Sequence, residues 1–144
     1  MTTYLSEKNQ DDETIVFEAV KHNGLSLQFA SKRLQDDETI VFEAVKHNGL
    51  SLQFASKRLQ DDETIVFEAV KRNGFSIEFA SERLQDDENI VCESIINSNG
   101  LSLEFVSDNF KDNETIVHEA MINSDGIALA FASNRLQYIL SCDN

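Results

Sequence analysis

The chain contains no proline, so it lacks the residue that most reliably breaks a helix. Cysteine is almost as scarce. Cys92 and Cys142 lie far apart and form no metal-type pair, which argues against a disulfide framework and fits a reducing compartment. Cys92 reads as a small core residue and Cys142 as a thiol of the tail. No apolar run approaches the roughly 18 residues of a membrane span. The opening MTTYLSEKNQ has no basic segment followed by an apolar one, so no secretory signal peptide is expected and the expected location is cytoplasmic. Positive charge is also in short supply: 12 Lys and Arg against 26 Asp and Glu give a formal net charge of −14. That balance disfavours nucleic acid and anionic membranes, both polyanions, and leaves a basic protein surface as an admissible partner. No phosphate loop, HExxH or nucleophile-elbow pattern is present. The expectation is therefore a protein that is not an enzyme and uses no cofactor and no metal.

What the chain has is repetition. Asp36 to Gln60, DDETIVFEAVKHNGLSLQFASKRLQ, copies residues 11–35 letter for letter, returns with five changes at 61–85, and recurs more loosely at 86–111 and 112–137. A fixed period of this kind marks a repeat array. Residues 1–10 match the end of a repeat in character, with Tyr4 in the aromatic place and Gln10 in that of Gln35, so they read as a degenerate half-repeat cap. Residues 138–144 read as a C-terminal cap, begun by Tyr138-Ile139-Leu140, followed by a loose tail.

Each repeat reads as two short helices. In the second copy Asp36 is placed to cap the first, and Ile40, Val41, Ala44 and Val45 recur at helical spacing with Phe42 beside them. Asn48-Gly49 ends that helix, with Gly49 expected in the left-handed region, as at Gly24, Gly74, Gly100 and Gly126. A second helix is expected from about Ser51 to Leu59, capped by Ser51, with Lys57 and Arg58 favourably placed in its last turn. Helices this short are marginal alone, so the hairpins must stack. The expectation is an all-α tandem helical-hairpin array, an α-solenoid of about five repeats, with Phe29, Phe54, Phe79, Phe105 and Phe131 as its spine. Repeats four and five carry one extra residue before Gly100 and Gly126, which lengthens the turn.

Two sets of side chains are candidates for partner binding. Lys21, His22, Lys46, His47, Lys71 and Arg72 recur one period apart and would form a basic row facing an acidic partner. The alternative is a solvated face stabilised by Glu18, Glu43 and Glu68, three and four residues earlier. Glu78, Glu82, Glu104 and Asp108 mark places where later copies become acidic. His118 occupies the Phe17 position and reads as a packed or boundary histidine. The acidic triplets such as Asp36-Asp37-Glu38 read as helix caps, because their spacing lacks that of a calcium loop.

The pattern Asp-x-Glu-x-Ile-Val-x-x-Ala-Val-Lys-x-Asn-Gly-Leu-x-Leu-x-Phe-Ala-Ser-x-x-Leu resembles a family of short helical-hairpin repeats classed as a domain of unknown function, found in protists, large DNA viruses and amoeba-associated bacteria such as Legionella. The resemblance covers residues 11–137 and is weakest in the fourth repeat, where Ser94, Val106 and Phe110 depart from it. It implies a stacked helical fold and a non-catalytic role in binding another protein, with a translocated effector, delivered into a host cell, as one form of that role. An acidic decoy that mimics a polyanion and occupies a nucleic-acid-binding protein is the alternative.

Overall fold

The computed structural model describes residues 5–142, and every regular element among them is helical. Tyr4, Asp143 and Asn144 lie outside the described residues. Each repeat opens with an α-helix: α1 (Glu13–His22), α2 (Glu38–His47), α3 (Glu63–Arg72), α4 (Glu88–Ile96) and α6 (Glu114–Asn123). Two further helices, α5 (Asp108–Lys111) and α7 (Asn134–Ser141), stand at the ends of repeats four and five. The repeat-opening helices pack one on the next, and the segments that follow them form a second stacked row. The result is an all-α tandem repeat array.

The opening helices are capped one residue later than the sequence implied. Asp37, not Asp36, adopts the extended cap conformation, and its carboxylate accepts from the Ile40 N–H at 2.9 Å. Asp12, Asp62, Asp87 and Asn113 do the same in the other repeats. At the other end Asn48 leaves the helix with φ −150°, and its side chain accepts from the Leu50 N–H at 3.0 Å.

The second helix is not α-helical. Gly49–Phe54 is a 3₁₀ segment, Ala55 is extended, and Leu59–Asp61 forms a separate 3₁₀ turn. The reason lies in who takes the Leu52 carbonyl. In an α-helix it would accept from the Ser56 N–H. Here it accepts from Ala55 at 3.1 Å and from the Gln60 side-chain amide at 3.0 Å, while Ser56 donates to the Gln35 carbonyl of the preceding junction at 2.9 Å. The same tie joins Ser31 to Gln10, Ser81 to Gln60, Ser107 to Gln85 and Ser133 to Lys111. Ser51, expected as a cap, is fully buried instead, and its hydroxyl meets no hydrogen-bonding partner.

The glycines serve a different purpose from the one expected in three of the five repeats. Only Gly100 and Gly126 have positive φ, each following a left-handed Asn99 or Asp125 in the lengthened turn. At Gly49 a Cβ would stand 2.2 Å from the Ala69 carbonyl oxygen of the next repeat, and Gly24 and Gly74 meet their neighbours in the same way. These glycines let one backbone rest on another.

The core is built from the opening helices and from aliphatic positions of the second row. Val41, Ala44 and Val45 are wholly buried with Leu52 and Leu59, as are their counterparts Val66, Ala69, Val70, Ile77 and Leu84. The phenylalanines expected as the spine lie outside it: Phe54, Phe79, Phe105 and Phe131 are only partly buried, and Phe29 is 40% exposed. Their rings cover the edge of the aliphatic column, which the smaller branched side chains fill at close-packed density. In α7, Leu136 and Leu140 are buried while Tyr138 is exposed.

Candidate functional site

Three surfaces follow the direction of the stack. The first is a polar ladder at the junctions. Asp36 accepts from the Ser56 hydroxyl and from the Arg58 Nε at 3.0 Å, and Arg58 also reaches Glu38 at 2.9 Å and the Asp36 carbonyl at 2.7 Å. Asp11 with Arg33, and Asp61 with Arg83, repeat this fork. The serine hydroxyl first, then the arginine, hold the carboxyls of Asp11, Asp36, Asp61 and Asp112 below their ordinary range. The acidic triplets therefore divide their labour: one Asp joins the ladder, the next caps, and in the first three repeats the Glu pairs with arginine. Among the described residues no cluster of His, Cys, Asp or Glu is arranged to hold a metal ion.

The second surface carries the basic row. Lys21 lies 3.4 Å from Glu18, Lys46 3.7 Å and His47 3.0 Å from Glu43, and Arg72 2.8 Å from Glu68. His22 and Lys71 are exposed on the same helix ends. The row is thus brought together along one side, with four of its six side chains turned towards their own helices. The acidic candidates occupy the opposite row of segments. Glu78 and Glu82 line one hollow, shared with Lys57 and Arg83, while Glu104 and Asp108 are exposed one repeat further on.

The third surface, which sequence reasoning did not single out, is a groove across the outer faces of the opening helices. Its floor is a row one period apart: Phe17, Phe42, Phe67 and then Cys92. Adjacent stretches share Phe17 and Thr39, then Phe42 and Thr64, so the groove is continuous from α1 to α4. Its walls hold Glu, Asp, Thr, Asn and Ile, and at its first floor position the Lys21 ammonium stands over the Phe17 ring, 5.7 Å from its centre. It is widest between α3 and α4, at about 690 Å³, where Phe67 is 40% and Ile96 56% exposed.

That widening coincides with a loss of internal cations. Glu43 and Glu68 are paired from their own helices, but the matching places beside Glu93 hold Ile96 and Asn97. Glu38 and Glu63 pair with Arg58 and Arg83, but the matching place beyond Glu88 holds Asn109, which bonds to Asp86 at 3.1 Å. Glu88 and Glu93 form no ion pair among the described residues. Burial first, then the charges of Glu88 and Glu119, raises the Cys92 thiol above its ordinary range, so it remains protonated and apolar. His118, expected as a packed or boundary histidine, has a side chain 52% exposed and lies 3.9 Å from Glu114.

The model of one protein family, described as a domain of unknown function (DUF4116), matches residues 12–60, 62–98 and 91–137. The chain belongs to this family. As a DUF4116 protein it comprises tandem helical repeats whose matches together span nearly all of the described array. No curated protein and no solved structure matches the chain. Among the described residues, no helix of this DUF4116 chain is long and apolar enough to cross a membrane.

Proposed function

We propose that the array is a non-catalytic protein-interaction module that seats a segment of a partner protein in the groove along its opening helices, chiefly at the widening between α3 and α4. One observation carries this reading. The groove joins exposed apolar side chains, Phe67 and Ile96, to Glu93, beside which Ile96 and Asn97 stand in the places that hold cations in the earlier repeats. Exposed apolar surface that is contiguous and rimmed by polar groups is characteristic of interaction sites. Net negative charge favours encounter with a basic partner. The basic row lacks an exposed apolar surface of its own, and its pairs with Glu18, Glu43 and Glu68 border the groove.

The test is a selection of displayed random peptides on immobilised protein, repeated on a Phe42→Ser, Phe67→Ser double variant. Enrichment of sequences that combine Lys or Arg with apolar residues, lost on the variant, is the expected result. Sequences retained equally by both proteins would overturn the site. Decoy action through Glu78, Glu82, Glu104 and Asp108 predicts the opposite: the groove variant keeps its ligands, and neutralising those four residues removes them.

A further inference from the structure

The second row of segments carries an ordered series of charges. Ser31, Ser56, Ser81 and Ser107 each donate to a carbonyl of the preceding junction, at 2.7 Å for the first and 2.9 Å for the others, and the residue after each is Lys32, Lys57, Glu82 and Asp108. The backbone tie thus sets these four in one place in four successive repeats, and all four are exposed. None of them forms an ion pair among the described residues. The arginines next to the first three, Arg33, Arg58 and Arg83, are held by carboxylates of their own repeats. Along the stack the row therefore reads plus, plus, minus, minus.

We infer that this face joins two copies of the chain in an antiparallel dimer, with Lys32 opposite the partner's Asp108 and Lys57 opposite the partner's Glu82. A two-fold axis between the second and third repeats reverses the row, so each pairing occurs twice and all four contacts join opposite charges. The flanking positions agree. Gln28 and Gln53 face the partner's Glu104 and Glu78, amide against carboxylate, and Glu7 of the half-repeat faces the partner's Asn134. Other alignments bring like charges together. Moving the axis by half a repeat sets Lys57 on Lys57 or Glu82 on Glu82, and moving it by a whole repeat sets Lys32 on Lys57 or Glu82 on Asp108. Two copies running parallel and in step oppose like to like throughout. Like charges across a contact are strongly disfavoured, so the row selects one orientation and one register.

The face also has apolar surface to bury. Phe54 lines a hollow shared by Lys32 and Lys57, and Phe79 lines one shared by Lys57 and Glu82. Both rings are only partly buried. Rings flanked by reciprocal ion pairs give the apolar centre and polar rim of a protein contact. The net charge of −14 on each copy opposes association, and moderate salt screens that longer-range repulsion before it screens charges in contact. The groove lies on the opening helices, in the other row, so it stays open in the dimer and the inference does not depend on it.

The test is analytical ultracentrifugation of the full chain, from low to high micromolar concentration at moderate salt. A monomer–dimer equilibrium is expected, weakened at least tenfold by Lys57→Glu and by Glu82→Lys. The Lys57→Glu, Glu82→Lys double variant should dimerise again, and so should an equimolar mixture of the two single variants. A chain that stays monomeric throughout overturns the inference, as does growth beyond the dimer. A dimer unchanged in Lys57→Glu places the contact elsewhere and overturns it too. Loss in both single variants without restoration in the double variant overturns the antiparallel register. In a staggered parallel contact Lys57 would meet Asp108 and Lys32 would meet Glu82, and the double swap makes both repulsive. The Phe42→Ser, Phe67→Ser protein should dimerise as wild type does; its failure to do so would move the contact to the groove and overturn the inference.

Discussion

Gly49→Ala tests whether the repeats are held apart by a backbone contact. The added Cβ would lie 2.2 Å from the Ala69 carbonyl oxygen and 2.8 Å from the Ser76 hydroxyl oxygen. Ordinary contact begins near 3.4 Å, so the second and third repeats must separate by roughly 1 Å. The nearest obstacle is main chain and cannot rotate away, which places the cost near the top of the overpacking range, about 3 kcal/mol. Alanine also narrows the unfolded ensemble and returns about 0.4–1 kcal/mol. The net expectation is a loss of about 2–3 kcal/mol, or a fall of about 5–10 °C in Tm for a chain of this length. Gly126→Ala is the control. There nothing lies within 4 Å, and the cost comes only from φ +88°, about 1 kcal/mol after the same entropy gain. Urea and thermal unfolding followed by circular dichroism, with hydrogen exchange to detect separation of the array into halves, measures both. A Gly49→Ala protein within about 0.5 kcal/mol of wild type, or one more stable than Gly126→Ala, would refute the close-contact account.

Other expectations follow from the same contacts. Ser51 and Ser76 bury hydroxyls that have no partner, so Ser51→Ala should raise stability by about 1 kcal/mol; Ser102→Ala, which breaks bonds to Ser94 and Ser98, should lower it by about 1–2 kcal/mol in the same urea titration. Leu52→Ala should cost about 3 kcal/mol and exceed Phe54→Ala, because Leu52 is wholly buried and Phe54 is not; the reverse order would restore the phenylalanines as the spine. The ladder aspartates have folded pKa values below their unfolded ones. Their stabilisation is therefore complete above about pH 4 and is lost as pH falls through the lowered folded values. A Ser56→Ala, Arg58→Ala variant should show a smaller additional loss of stability in acid than wild type, read from urea midpoints between pH 5 and pH 2.

The period, the all-helical class and the order of elements were legible because they depend on local pattern: the apolar spacing of Ile40 to Val45 and the constancy of the Asn-Gly pair. What was not legible depends on the neighbouring repeat. Asp36 and Asp37 are equally good caps by type, and only the stacked Ser56 and Arg58 decide that Asp36 is taken. The Ser51–Leu59 stretch carries a helical apolar pattern, but Gln60 captures the carbonyl that would continue it. The glycines were recognisable as constrained positions. Their constraint in the first three repeats is a close approach, which a single repeat cannot reveal. The groove was hidden because Phe17, Phe42 and Phe67 look like core residues in an amphipathic stripe. A signal was present: Cys92 and His118 replace them later in the chain, whereas the buried Val41 position remains Val in every repeat.

The junction tie between Ser56 and Gln35 has a consequence for how such a protein changes over time. Every repeat is received by the same backbone bond and the same aspartate, and repeats one and two are interchangeable letter for letter. Removing residues 36–60 would join Gln35 to Asp61, bring Ser81 to the Gln35 carbonyl in place of that of Gln60, and set Gly24 against Ala69. The groove would lose one floor position and nothing else. Unequal exchange between identical coding segments can therefore lengthen or shorten the groove in whole steps, without any substitution at the contacts that hold the stack together.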